Sequence, residues 1–233
     1  MRLSQMLRQP IRAICFDLDN TFWDIWPVIR KAEQAMYDFL AQRYPRVVAK
    51  LTIEAMRQAR EDVEARFPHM KHDFTFLRKQ VLREHAAECG YAECMVEEAF
   101  EVFIRARNKV ELYDDVVPGL EALRSRYRLF TASNGNADLE RIGLKHFFER
   151  TIAAREVGVP KPDRRIFEKV VEGTDLAMSE VIYVGDDPEL DVAGARAAGM
   201  QPVWIDRAGT PWPTHLEPPP VVVRSLTELL QHL

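Results

Sequence analysis

Residues 14–24 read ICFDLDNTFWD, an apolar run that ends in two aspartates one residue apart. Like charges side by side repel, and burial penalises ionised carboxylates heavily, so the pair needs a physical reason. Along an extended backbone side chains alternate, which starts Asp17 and Asp19 on one side and Leu18 on the other. Both acids can therefore converge on one site. A carboxylate pair in a cleft is made tolerable either by a shared proton or by a cation.

On either side of this stretch the chain changes character. None of its ten glycines precedes Gly90, and nine of them lie at Gly119 or later. Helices avoid glycine, whereas segments with many strand-to-helix turns use it. The glycine-free part has helical periodicity, with Val28, Ala32, Ala35, Phe39 and Leu40 on one face, then Met56, Ala59, Val63 and Phe67, then Val96, Phe100, Phe103 and Ile104. Pro45 and Pro68 punctuate it. Residues 25–116 are expected to form a helical insert bounded by Pro27 and the Pro118-Gly119 turn.

Elsewhere, short apolar runs alternate with helix-like stretches. Candidate strands are 11–16, 129–132, 151–153, 181–184, 203–205 and 221–223. Fully apolar runs joined by helices predict an α/β fold with a parallel sheet covered on both faces, built from residues 1–24 and 117–233. The proline-rich 207–220 reads as a stiff loop before the last strand.

In an open parallel sheet, ligands bind beyond the carboxyl ends of the strands. After VIYV come Gly185, Asp186 and Asp187, with Asp191 a turn further on, so acids at two strand ends can total five. One shared proton cannot neutralise that charge. A divalent cation with oxygen ligands can, and Mg²⁺, which keeps waters and binds through one or two carboxylates plus phosphate oxygens, suits best. The run RLFTA ends in Ser133, Asn134 and Gly135, a turn able to offer a hydroxyl and backbone N–H groups to an anion. Lys161 stands between two prolines that restrict the backbone, a mounting suited to a fixed positive charge. Taken singly, the triplet also reads as a plain turn and the lysine as a solvated one.

Together these four elements, in this order, resemble the haloacid dehalogenase superfamily of hydrolases, most of which are phosphatases. The resemblance covers nearly the whole chain. DLDNT is similar to that family's nucleophile loop, Ser133, Lys161 and GDDPELD match its other three motifs, and the helical insert resembles its cap domain. It implies a Rossmann-like core with an α-helical cap and a Mg²⁺-dependent phosphatase. Asp17 would be the nucleophile forming an aspartyl phosphate, and Asp19 the acid and base. Mg²⁺ would be held by Asp17, the Asp19 backbone carbonyl and Asp186. Ser133, Asn134 and Lys161 would grip the phosphoryl group, Asp187 and Asp191 would support the metal indirectly, and Thr21 would brace the loop. Rival readings on the same scaffold are a dehalogenase, which needs neither metal nor the second aspartate, a phosphomutase, and a non-catalytic binding protein.

The charge balance, 32 basic against 36 acidic side chains for a net −4, provides no general field attracting nucleic acid or anionic lipid. Neither a signal peptide nor a membrane span is expected, and Cys15, Cys89 and Cys94 suit reduced thiols in a cytoplasmic protein, monomeric or homodimeric. His85, Cys89 and Cys94 are read as packing rather than as a metal site. The expected partner is a small phosphorylated metabolite chosen by the insert, in which residues 66–73 are the most polar and irregular. Trp23 and Trp26 could line the entrance or pack between modules. GARAAG at 194–199 does not open a helix directly after a strand, so a dinucleotide site is not expected.

Overall fold

A computed structural model describes residues 10–233. Its chain divides into two compact units, one holding the described residues up to Asp24 with Glu111–Gly135 and Gly143–Leu233, the other Ile25–Val110 with Asn136–Ile142. The helical unit thus ends at Val110 where an insert of 25–116 was expected, and it also takes in Asn136–Ile142. Tyr113 N donates to Phe22 O at 2.9 Å and Leu112 bridges Trp23, which binds residues 111–116 to the first strand's loop. Conversely, Asp138 N donates to Asn108 Oδ1 and Arg107 Nε to Asn136 Oδ1, which draws 136–142 to the helices.

The first unit carries a six-stranded sheet, β1 (Ala13–Phe16), β2 (Arg128–Ser133), β3 (Arg150–Ala153), β4 (Val181–Gly185), β5 (Gln201–Ile205) and β6 (Val222–Val223), in the order β3-β2-β1-β4-β5-β6. Every pairing is parallel. Each expected strand is present, shifted at its ends by a residue or two. The chain runs outward in both directions from β1 and β4, so the crevice between them is the switch point where ligands of such sheets bind.

Period-two alternation assigns Ala13 and Cys15, Phe130 and Ala132, and Val181 and Tyr183 to one buried cluster with Ile166, Phe167 and Val170. The last three lie on the helix Arg164–Val171. Gly194 permits a close approach beside them, since a Cβ there would stand 2.9 Å from Phe167 Cζ and from Pro162 Cβ. The small residues of GARAAG thus serve packing.

In the second unit the main helices are α1 (Ile25–Arg43), α2 (Pro45–Val48), α3 (Ile53–Arg66), α4 (Phe74–Glu88) and α5 (Cys94–Arg107). Pro45 opens α2, and the side chains of Thr52 and Asp73 accept from Ala55 N and Phe76 N to cap α3 and α4. Ala32 and Leu40 pack with Val96, Phe100 and Phe103, all on the stripes expected from periodicity, and Met36 and Ala99, outside those stripes, join them. Residues 66–73 form a packed connection in which Phe67 meets the edge of Phe76 and Arg66 pairs with Glu84 at 2.6 Å. The three cysteines are free, and among the described residues no helix is long and apolar enough to cross a membrane.

Candidate active site

β1 delivers Asp17 to the switch point, where its backbone N–H donates to Val184 O of the neighbouring β4 at 2.9 Å. The loop then folds back tightly. Leu18 O accepts from Thr21 N and Phe22 N, and Asn20 takes the left-handed conformation, φ 61°, which asparagine tolerates better than most residues. From the end of β4, Asp186 and Asp191 join Asp17, and one carboxylate oxygen of each lies within 4.8 Å of the others. Gly185 makes this possible, because a Cβ there would stand 2.3 Å from the Asp191 carboxyl.

Lys161 holds the cluster together. Its ammonium donates to Asp17 Oδ1 at 2.5 Å, Asp191 Oδ1 at 2.6 Å and the Tyr183 hydroxyl at 3.0 Å, using all three protons. Tyr183 in turn donates to Ala132 O at 2.8 Å. Burial opposes the lysine's charge, but the two carboxylates outweigh it and its pKa rises. The lysine is therefore buried and charged, not a solvated surface residue. Its backbone is fixed by Asn134, whose Oδ1 accepts from Lys161 N at 2.7 Å and whose Nδ2 donates to Lys161 O at 3.2 Å. Ser133 is buried at the end of β2 and its Oγ accepts from Gly135 N.

One lysine does not neutralise three acids. Burial, opposed by Lys161 and reinforced by Asp191, pushes Asp17 up to about 7. Asp186 is pushed up to about 8 by burial and by the charges of Asp17 and Asp191. A hard cation relieves both shifts at once, and an all-oxygen donor set matches its ligand preference. The residues fit a divalent metal. Asp191 belongs to this cluster, whereas Asp187 Oδ1 accepts from Glu189 N and Leu190 N and caps the turn Pro188–Ala193. The Asp19 carboxylate is not one of the three clustered acids; its Oδ1 accepts from Trp23 Nε1 at 2.8 Å.

The same family description fits residues 11–199, the haloacid dehalogenase-like hydrolases. The chain belongs to this hydrolase family. It is 30% identical over 84% of its length to the 5-amino-6-(5-phospho-D-ribitylamino)uracil phosphatase of Escherichia coli, of which 83% is covered. The phosphoserine phosphatase of Thermus thermophilus is 39% identical over 58% of this chain and 56% of its own. Among solved structures, a 2-haloacid dehalogenase from Pseudomonas syringae superposes with a TM-score of 0.89 at 33% identity, covering 95% of this chain and 97% of its own.

Within this hydrolase, several residues escaped the sequence reading. Tyr183 reads as core, although a phenol in a fully buried strand usually finds a hydrogen-bond partner. Trp204 Nε1 donates to Asp186 O at 2.8 Å, and Arg207 donates to Thr21 O through Nη2 at 2.8 Å and Nε at 3.2 Å. The loop after β1 is thus braced through the Thr21 carbonyl, while the buried Thr21 Oγ1 has no hydrogen-bond partner. Trp23 is fully buried and Trp26 is 65% exposed, so only Trp26 stands open to solvent.

Proposed function

We propose that this hydrolase is a phosphatase acting on a small phosphomonoester metabolite, as a cytoplasmic monomer or homodimer, with no nucleic-acid or membrane partner. Asp17 attacks phosphorus as the ester P–O bond breaks, and Asp19 gives its proton to the departing oxygen. Asp19 then takes a proton from the water that cleaves the aspartyl phosphate, returning Asp17 as a carboxylate. Lys161 keeps Asp17 oriented and adds positive charge beside the phosphoryl group, with Ser133 and the Asn134 backbone as donors to its oxygens. Asp17, Asp186 and the Asp19 carbonyl, with Asp191 beside them, would hold a Mg²⁺ ion, which would supply positive charge against the repulsion between carboxylate and phosphate. Asp187 acts at one remove, by shaping the turn that carries Asp191.

The observation that carries phosphate over halide is Asp19. A leaving halide needs no proton, and a second acid two residues after the nucleophile has no task in displacing one. The phosphatase activities of the two relatives named above support the same choice. Hydrolysis of 4-nitrophenyl phosphate should require Mg²⁺ and vanish in Asp17→Asn, with no halide released from 2-chloropropionate. Halide release, or an active Asp17→Asn, would overturn the assignment.

A further inference from the structure

We propose that Tyr183 is a positioning residue for Lys161. Its hydroxyl, anchored on the Ala132 carbonyl, takes the third ammonium proton and so fixes the lysine's charge between Asp17 and Asp191. The catalytic consequence rests on Asp17 being the nucleophile proposed above.

Proton count fixes the direction of each bond. A charged ammonium has three donors and no acceptor, whereas a phenol has one donor and lone pairs to spare. Lys161 gives one proton each to Asp17 Oδ1 at 2.5 Å, Asp191 Oδ1 at 2.6 Å and the Tyr183 hydroxyl oxygen at 3.0 Å. Tyr183 must therefore accept from the lysine, and its own proton goes to Ala132 O at 2.8 Å. Burial, with Asp191 and Asp17 beside it, raises the phenol's pKa well above its ordinary value, so it keeps that proton. The acceptor is also rigidly mounted. Tyr183 has no exposed surface, its strand pairs with β1 at Cys15 and with β5 at Pro202, and Phe167 meets its ring edge-on at 5.1 Å. Lys161 is thus tied to β2 at both ends: the Asn134 side chain binds its backbone N–H and carbonyl, and Ala132, two residues earlier, holds its ammonium through Tyr183. Two carboxylates alone leave an ammonium on a flexible four-carbon stem free to shift between them, and a third acceptor on a buried strand removes that freedom.

Tyr183→Phe removes the hydroxyl and keeps the ring. In metal-free protein the Lys161 ammonium ¹H–¹⁵N signal, identified by its loss in Lys161→Met, should be protected from exchange with water in the wild type and exchange about tenfold faster in Tyr183→Phe. With Mg²⁺ present and well below the variant's Tm, kcat should fall about tenfold on 4-nitrophenyl phosphate and on phenyl phosphate alike, with KM changed less than about twofold, because the lysine orients the nucleophile rather than the leaving group. A hydroxyl that served packing alone would lower Tm and leave the ammonium exchange and kcat unchanged, and that result would overturn the proposal. So would a wild-type Lys161 ammonium that exchanges as fast as those of surface lysines. Where phenylalanine prevents folding, Tyr183→3-fluorotyrosine, which nearly keeps the volume and keeps the donor but weakens the accepting lone pairs, should move exchange and kcat in the same directions; no movement in either would overturn the role. A wild-type protein inert on both esters would end the phosphatase reading, while the ammonium exchange would still decide whether Tyr183 holds Lys161.

Discussion

Gly185 shows how little room the site leaves. Asp191 packs where a side chain on residue 185 would stand, with its Cβ 2.6 Å and its carboxyl 2.3 Å from the missing Cβ. That closeness lets Asp191 accept from Lys161 and, through Oδ2, from Asp187 N at 3.0 Å. A methyl group there must displace a carboxylate with two partners. Gly185→Ala should lower stability by about 1–3 kcal/mol, as overpacking does, and reduce kcat at least tenfold. Urea unfolding and steady-state kinetics check both, and a wild-type-like variant would mean that the loop relaxes freely. The acids and Lys161 were legible because charged groups beside apolar runs demand compensation. The choice between Asp187 and Asp191 was not, because it depends on how tightly the turn after β4 winds: Asp191 N and Val192 N both donate to Asp187 O, and this turns Asp191 inward. Tyr183 was hidden for a different reason, since one hydroxyl scarcely marks an otherwise apolar strand.

Among the elements of the sheet unit, the segment after β5 does more than stiffen a connection. Arg207 grips the Thr21 carbonyl, pairs with Asp115 at 2.6 Å and lies over the Tyr113 ring at 4.3 Å. Asp115 accepts in turn from Leu226 N, at the start of the last helix. One guanidinium therefore joins three segments far apart in sequence, and a lysine cannot reproduce its forked donors. Arg207→Lys should cost about 1–2 kcal/mol of stability and lower kcat more than it raises KM, because the carbonyl it releases lies in the loop that carries the proposed nucleophile Asp17. Denaturant melts with kinetic constants test this; a variant matching wild type in both would show the clamp to be dispensable. Strands could be found from sequence since burial on both faces leaves an uninterrupted apolar run. Arg207 could not, because a loop arginine looks the same whether solvated or clamped until its partners, supplied by distant segments, are known.

For the molecule as a whole, glycine distribution and periodicity separated a helical unit from a sheet unit, while the borders depended on hydrogen bonds such as Tyr113 to Phe22 that no local pattern reveals. The charge at the switch point also acts on the whole fold. Asp17 and Asp186, from an ordinary value of 3.8, are raised to about 7 and about 8. Without metal, these two groups therefore bind more protons in the folded chain than in the unfolded one from about pH 4 up to those values, so their contribution to stability is greatest below the window and declines as pH rises through it. The rise at Lys161 acts only in alkaline solution and does not offset this decline. A Mg²⁺ ion held as proposed would bind the ionised carboxylates, so at low pH protons would compete with it, whereas at high pH it would relieve the repulsion that burial has created. The increase in Tm on adding MgCl₂ should consequently be larger at about pH 8 than at about pH 6, and Asp186→Asn should abolish most of it. Scanning fluorimetry at the two pH values measures this directly; a shift independent of pH, or one that survives in Asp186→Asn, would place the ion away from these acids.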